Sequence, residues 1–188
     1  MTSRATSSHI LPEDHGGLLI QRLPLRDGAV ESRQVFVTTK ISEALDGKDG
    51  NVAGFPWTQA DVLIGKFCAG QLVKVALTSK KDGKFIKRGR YGWPEIERMD
   101  GVDEVWILCI RKPQPGWRIL GRFLRKNCFI GLELHDAHDL HKPDDAYNNA
   151  AQKVIEVWNV VFGQQEPHRG KQIDDYMSGV WIDVNETQ

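Results

Sequence analysis

Six cationic side chains crowd one short stretch of the sequence: Arg111, Lys112, Arg118, Arg122, Arg125 and Lys126. Such a cluster suits phosphate oxygens, arginine through a planar fork of donors and lysine as a compact point charge. Trp117, with Tyr91 and Trp93 upstream, offers flat surface on which unpaired bases could stack. The same cations could instead pair internally with Glu133, Asp136 or an acidic C-terminal helix, leaving the aromatics to the core. A second group follows in His135-Asp136-Ala137-His138-Asp139-Leu140-His141. Imidazole changes charge near neutral pH, so His135 and His138 are candidates for proton transfer. Three histidines with two aspartates could also hold zinc or nickel. However, i and i+6 lie well apart on a helix, and i and i+3 face oppositely on a strand, so no metal site is expected.

Three consecutive strands must position these groups. Val105 to Arg111 is a continuous apolar run rich in Val, Ile and Trp, which predicts a strand buried on both faces. Lys112-Pro113-Gln114-Pro115-Gly116 breaks it and turns the chain back. From Trp117 to Leu124 the side chains alternate: Trp117, Ile119 and Phe123 share one face, Arg118, Leu120 and Arg122 the other. After the short connector Arg125-Lys126-Asn127, Cys128 to Leu134 supplies a third strand, and tight connections make the meander antiparallel.

Elsewhere the pattern is α+β, with the antiparallel sheet of residues 104–134 packed by an N-terminal helical part and a C-terminal helix. Residues 1–17 lack periodicity and read as a flexible tail. Residues 18–188 read as one domain, with accessory strands at Leu18–Leu25 and Gln34–Lys40 around the turn Arg26-Asp27-Gly28, then a loop over Asp46–Asn51. Thr58 is placed to cap a helix that ends at Gly70, followed by a strand from Leu72 to Thr78 and a turn over Ser79–Lys84. Pro94–Met99 reads as a short helix. Pro143 opens a long helix that Gly163 closes, with Ala146, Ala150, Val154, Val157, Trp158 and Val161 as its apolar stripe. Ile173–Met177 and Val180–Val184 form a last apolar pair.

At 188 residues, 40% apolar and 27% charged, the chain excludes fibrous and disordered classes. No apolar run is long enough for a bilayer and no secretory leader is evident, so no membrane partner and a cytoplasmic location are expected. Cys68, Cys109 and Cys128 sit in apolar runs without a CxxC pair, as small core residues do. Net charge is zero but polarised: Gln71 to Lys126 carries fourteen basic against six acidic residues, Asn127 to Gln188 four against eleven.

The runs Trp106-Ile107-Leu108-Cys109-Ile110-Arg111, Trp117-Arg118-Ile119-Leu120 and His141-Lys142-Pro143 before Ala146 resemble the RelE/ParE/HigB-like toxin superfamily, especially its phage-derived members. The resemblance spans residues 58–163, leaving 18–57 as accessory strands and 164–188 as an extension. It implies a RelE-like sheet and a toxin of a toxin-antitoxin pair. It further implies metal-independent endoribonuclease or translation-inhibiting activity without a cofactor, RNA or the ribosome as target, and an antitoxin-like protein partner. It assigns Arg118 to the catalytic centre and Arg111 to the arginine closing the first strand. Ile107 and Cys109 replace the lysines that some ribonucleases carry there, which keeps open a noncatalytic binding protein of the same fold.

Overall fold

The computed structural model describes residues 17–22, 31–48, 52, 54–78, 80–81, 84–85, 91–142 and 145–185. In chain order the strands are β1 (Leu19–Arg22), β2 (Gln34–Thr38), β3 (Val73–Ala76), β4 (Lys80–Lys81), β5 (Lys84–Phe85), β6 (Ile96–Arg98), β7 (Trp106–Ile110), β8 (Trp117–Arg125), β9 (Cys128–Asp136) and β10 (Trp181–Asp183). The helices are α1 (Thr39–Leu45), α2 (Trp57–Cys68), α3 (Ala137–Leu140), α4 (Ala146–Phe162) and α5 (Ile173–Tyr176). Eight strands form one sheet in the order β1-β2-β9-β8-β7-β6-β3-β10, and β4 pairs with β5 as a separate hairpin. The fold is therefore α+β, as the pattern predicts. No helix among the described residues is long and apolar enough to cross a membrane.

The meander β7-β8-β9 is antiparallel, and β6 adds to it antiparallel. The expected all-antiparallel sheet is corrected at its flanks. There β2 joins β9, β6 joins β3 and β3 joins β10 in parallel. The cause lies in the meander: β7 is buried at every position and β8 at all but its ends, so both faces need cover and both long edges need partners. Segments distant in sequence supply them.

One face carries Trp106, Leu108, Ile110, Ile119, Phe123 and Phe129 against the buried sides of α1, α2 and α5. The other carries Ile107, Leu120, Leu124, Ile130 and Leu132 against Ala150, Ala151, Val154, Trp158 and Phe162 of α4. The stripe predicted for α4 is this face, and the helix closes at Gly163 with φ +61°. Pro143, the turn at 26–28 and residues 1–16 lie outside the described residues.

Several local expectations change. Residues 94–99 are not helical: Ile96, fully buried, is held in β6 between β3 and β7, because the exposed ladder of β7 needs a partner more than three residues need a helical turn. Thr58 is not the cap of α2, which starts at Trp57 from Pro56 without a side-chain cap bond. The strand predicted to run to Lys40 stops at Thr38, whose hydroxyl accepts from Ile41 N and opens α1. Residues 173–176 are helical, and Trp181–Asp183 forms an edge strand beside β3.

Arg33 joins three remote segments. It is fully buried, and donates from Nε to Ser178 O at 2.8 Å, from Nη2 to Val180 O at 3.2 Å and from Nη1 to Gln71 O at 3.4 Å, with its guanidinium 5.1 Å from the Phe67 ring centre. Tyr176 is a second tie: its hydroxyl donates to Glu104 Oε2 at 2.5 Å and accepts from Gly170 N and Arg98 Nη1.

Two predictions follow from this packing. Gly121 faces Gly131 across β8 and β9, and a Cβ there would sit 1.9 Å from Ile130 O. Gly121→Ala should lower stability by about 1–3 kcal/mol, read as a lower urea midpoint. Burial, then the Glu104 carboxylate, pushes the Tyr176 hydroxyl up to about 12 from 10.0. The folded state thus holds that proton more tightly, so this stabilisation is complete below pH 10 and is lost as pH rises toward 12. Tyr176→Phe should remove that share of the alkaline loss, measured by urea unfolding at pH 9 and pH 11.

Candidate polar site at the end of the meander

The register of the meander brings together residues that the sequence separates. Cys109, Arg118 and His135 are successive cross-strand partners on β7, β8 and β9, so their side chains share the face that α4 covers. Arg118 is only 4% exposed. Its Nη1 donates to Trp117 O at 2.9 Å and reaches Ile110 O at 3.5 Å, while Nε has no partner among the described residues. Beside it, Glu133 Oε2 stands 3.5 Å from His135 Nε2, which is buried and has no hydrogen-bond partner among the described residues. Both side chains remain partly open to solvent.

The first turn of α4 adds Tyr147, whose ring centre lies 5.7 Å from that of His141. Burial raises its hydroxyl pKa, and the hydrogen-bonded Arg118 guanidinium opposes that rise. On the other side of the row, Cys109 Sγ donates to Glu97 Oε1 at 3.4 Å. Burial first, and then the charge of Glu97, hold this thiol well above its ordinary value, so it remains a thiol at neutral pH. Arg111 donates to Pro94 O at 2.8 Å, pairs with Glu97 at 3.7 Å and stacks 5.1 Å from the Trp93 ring centre. Trp93 is 46% exposed. The result is a strip across β6, β7, β8 and β9 in which a fixed cation, an imidazole beside a carboxylate and a phenol converge.

The remaining cations lie elsewhere. Lys112 is exposed in the β7–β8 turn. Arg122, on the same face as Arg118 but four residues on, is 2% exposed, donates to Asp103 O at 2.7 Å and lies 5.7 Å from the Trp158 ring centre. Burial lowers its pKa, with Asp103 opposing. Arg125 donates to Gln34 Oε1 at 2.8 Å, and Lys126 is exposed at the β8–β9 turn. That turn is roughly 24 Å from Arg118 at about 3.4 Å per residue, so the six cations do not form one surface. His138 is exposed on α3, where its main-chain N is held by the capping Asp136 side chain, and lies off the row. Among the described residues, no group of three or more His, Cys, Asp or Glu could hold a metal ion.

Sequence reasoning passed over Tyr147 and Glu97. Tyr147 belongs to the ridge continued by Ala151, Val154 and Trp158, a spacing legible in the sequence. Glu97 was hidden by reading 94–99 as a helix, although Glu95-Ile96-Glu97-Arg98 alternates as a strand does. Comparisons of the chain with protein families, with curated proteins and with solved structures returned no match. The fold and the strip define an α+β protein with a mixed sheet between helical layers and a half-open acid-base cluster at one sheet end.

Burial also pushes the Cys68 thiol up to about 12 and that of Cys128 to about 11. Iodoacetamide at pH 8 should therefore leave all three cysteines unmodified in the folded protein and alkylate all three in urea, as read by intact mass.

Proposed function

We propose that the protein is a metal-independent endoribonuclease of the RelE/ParE/HigB-like kind, acting on messenger RNA at the Arg118–His135 strip. The supporting observation is the cross-strand pairing of Arg118 with His135, with Glu133 against the imidazole. Cleavage through the ribose needs a base for the 2′-hydroxyl, positive charge for the phosphorane and an acid for the departing oxygen. In this scheme the His135 imidazole, turned with Nε2 toward Glu133, takes the 2′-hydroxyl proton on its other nitrogen, and the new 2′-oxygen bond to phosphorus expels the 5′-oxygen, leaving a cyclic phosphate. Glu133 favours the imidazolium so formed. The Tyr147 hydroxyl protonates the leaving oxygen, and Arg118 acts from within the fold by steadying the phenolate. Arg111, Lys112 and Trp93 hold flanking nucleotides. An antitoxin-like protein and the ribosome are the partners that this reading names.

A second reading is favoured by the burial of Arg118 and Arg122, whose charges are largely engaged by main-chain carbonyls. It is a noncatalytic protein of the same fold that binds RNA or a protein partner through Arg111, Lys112 and Trp93.

Primer extension on naked and ribosome-bound messenger RNA in metal-free buffer separates the two. The wild type should cut, and His135→Ala should cut on the order of 10²- to 10⁴-fold more slowly with its fold intact by circular dichroism. Absence of cuts by the folded wild type with active ribosomes, or equal cutting by His135→Ala, sinks the catalytic reading.

A further inference from the structure

Two members of the strip, Glu97 and Cys109, have no part in the proposed chemistry. Glu97 lies on β6, and both of its carboxylate oxygens are engaged. Oε1 accepts from Cys109 Sγ at 3.4 Å, and Oε2 stands 3.7 Å from Arg111 Nη2, whose own Nε is bound to Pro94 O. The carboxylate is thus fixed in place and mostly buried, with its side chain 19% exposed. Cys109 is the cross-strand partner of Arg118, and Arg118 is hydrogen-bonded to the Tyr147 hydroxyl. Across β6, β7, β8 and β9 the order is therefore carboxylate, thiol, guanidinium and imidazole, with the phenol reaching them from α4.

A phenol bonded to a guanidinium is drawn toward its phenolate, because the charged form gains the cation. A general acid must instead keep its proton until charge develops on the leaving oxygen. At Tyr147 burial holds the proton, Arg118 opposes it, and negative charge at Cys109 or Glu97 reinforces burial. Cys109 remains a thiol at neutral pH, which leaves Glu97 as the negative charge at this end of the strip. The charged and titratable groups around Tyr147 are Glu97, Cys109 and Arg118 from the sheet and His141 from the turn between α3 and α4, with His135 and Glu133 one strand further along. Of the two carboxylates, Glu133 stands against His135. We infer that Glu97 is a positioning residue, whose fixed carboxylate offsets the Arg118 charge at the Tyr147 hydroxyl and reserves that proton for the leaving oxygen. The inference rests on the catalytic reading above and adds to it a residue that touches no substrate.

NMR of the tyrosine ring carbons in the full chain tests this apart from catalysis. The chain has three tyrosines, and the Tyr147 signal is the one lost in Tyr147→Phe. In E97Q, whose amide oxygen can still accept from Cys109, Tyr147 should ionise at a lower pH than in the wild type, and in the charge-preserving E97D near the wild-type pH. An equal or higher midpoint in folded E97Q overturns the inference. A double-mutant cycle at pH 7 decides the matter should alkali unfold the chain first. Glu97→Gln should lower the urea midpoint in the wild type and lower it less in Arg118→Met, and an equal drop in both overturns the inference. In cleavage of messenger RNA, the alkaline limb of the kcat profile should move to lower pH in E97Q together with the Tyr147 midpoint. A lowered midpoint in a protein that cuts nothing removes the nuclease reading and leaves Glu97 acting on Tyr147. Cutting with an unmoved midpoint removes the inference and leaves the nuclease.

Discussion

Double-sided burial of the central meander is the constraint from which the rest of the structure follows. A strand such as β7, with all five positions buried, cannot lie at the surface of a half-covered sheet. Its apolar residues need helices on both faces, and its unpaired main-chain groups need β6 on one side as much as β8 on the other. α2 and α1 cover one face, α4 the other, and the parallel additions of β2, β3 and β10 widen the sheet. The widening brings the N-terminal and C-terminal parts of the chain into the same sheet, where Arg33 satisfies carbonyls from segments far apart in sequence.

The same constraint governs the charges. A guanidinium placed among apolar side chains survives only where oxygen acceptors reach it. Arg118 and Arg122 find them in strand-end and loop carbonyls, and each is further steadied from α4, Arg118 by Tyr147 and Arg122 by the Trp158 ring. Their positive charge is therefore fixed in place rather than displayed. At the sheet end, where α4 begins, His135 and Glu133 lie beside Arg118 with their side chains partly exposed. His138 and His141 lie on and just after α3, beyond that row.

Much of the architecture was legible because period and punctuation agree in the sequence. The alternation along residues 117–124 assigned Trp117, Ile119 and Phe123 to one face and the two arginines to the other, and Gly163 marked the end of α4. The flanks were not legible. Whether a short strand such as 34–38 pairs in parallel with a partner more than ninety residues away depends on which edge is left open, and local pattern does not encode that. Residues 94–99 failed for a related reason, since proline and two glutamates favour a helical turn while the open edge of β7 selects a strand. In the site, Arg118, His135 and the carboxylate beside it were readable as residue types. Their convergence depended on a register that includes irregularities between Leu120 and Gly121 and between Phe123 and Arg125.

The last described strand has a consequence for how the protein is made. β10 pairs with β3, about a hundred residues earlier, and Ser178 and Val180 fill the donors of Arg33, 145 and 147 residues before them. Contacts between such distant parts of a chain close slowly, since the entropy of the long loop is lost before the contact forms. During synthesis Arg33 and its Gln71 acceptor emerge well before Ser178 and Val180, so the other two contacts of Arg33 wait for chain made much later. Until that later chain arrives, a guanidinium destined for full burial keeps its hydration, and the sheet cannot close over it without leaving donors unsatisfied.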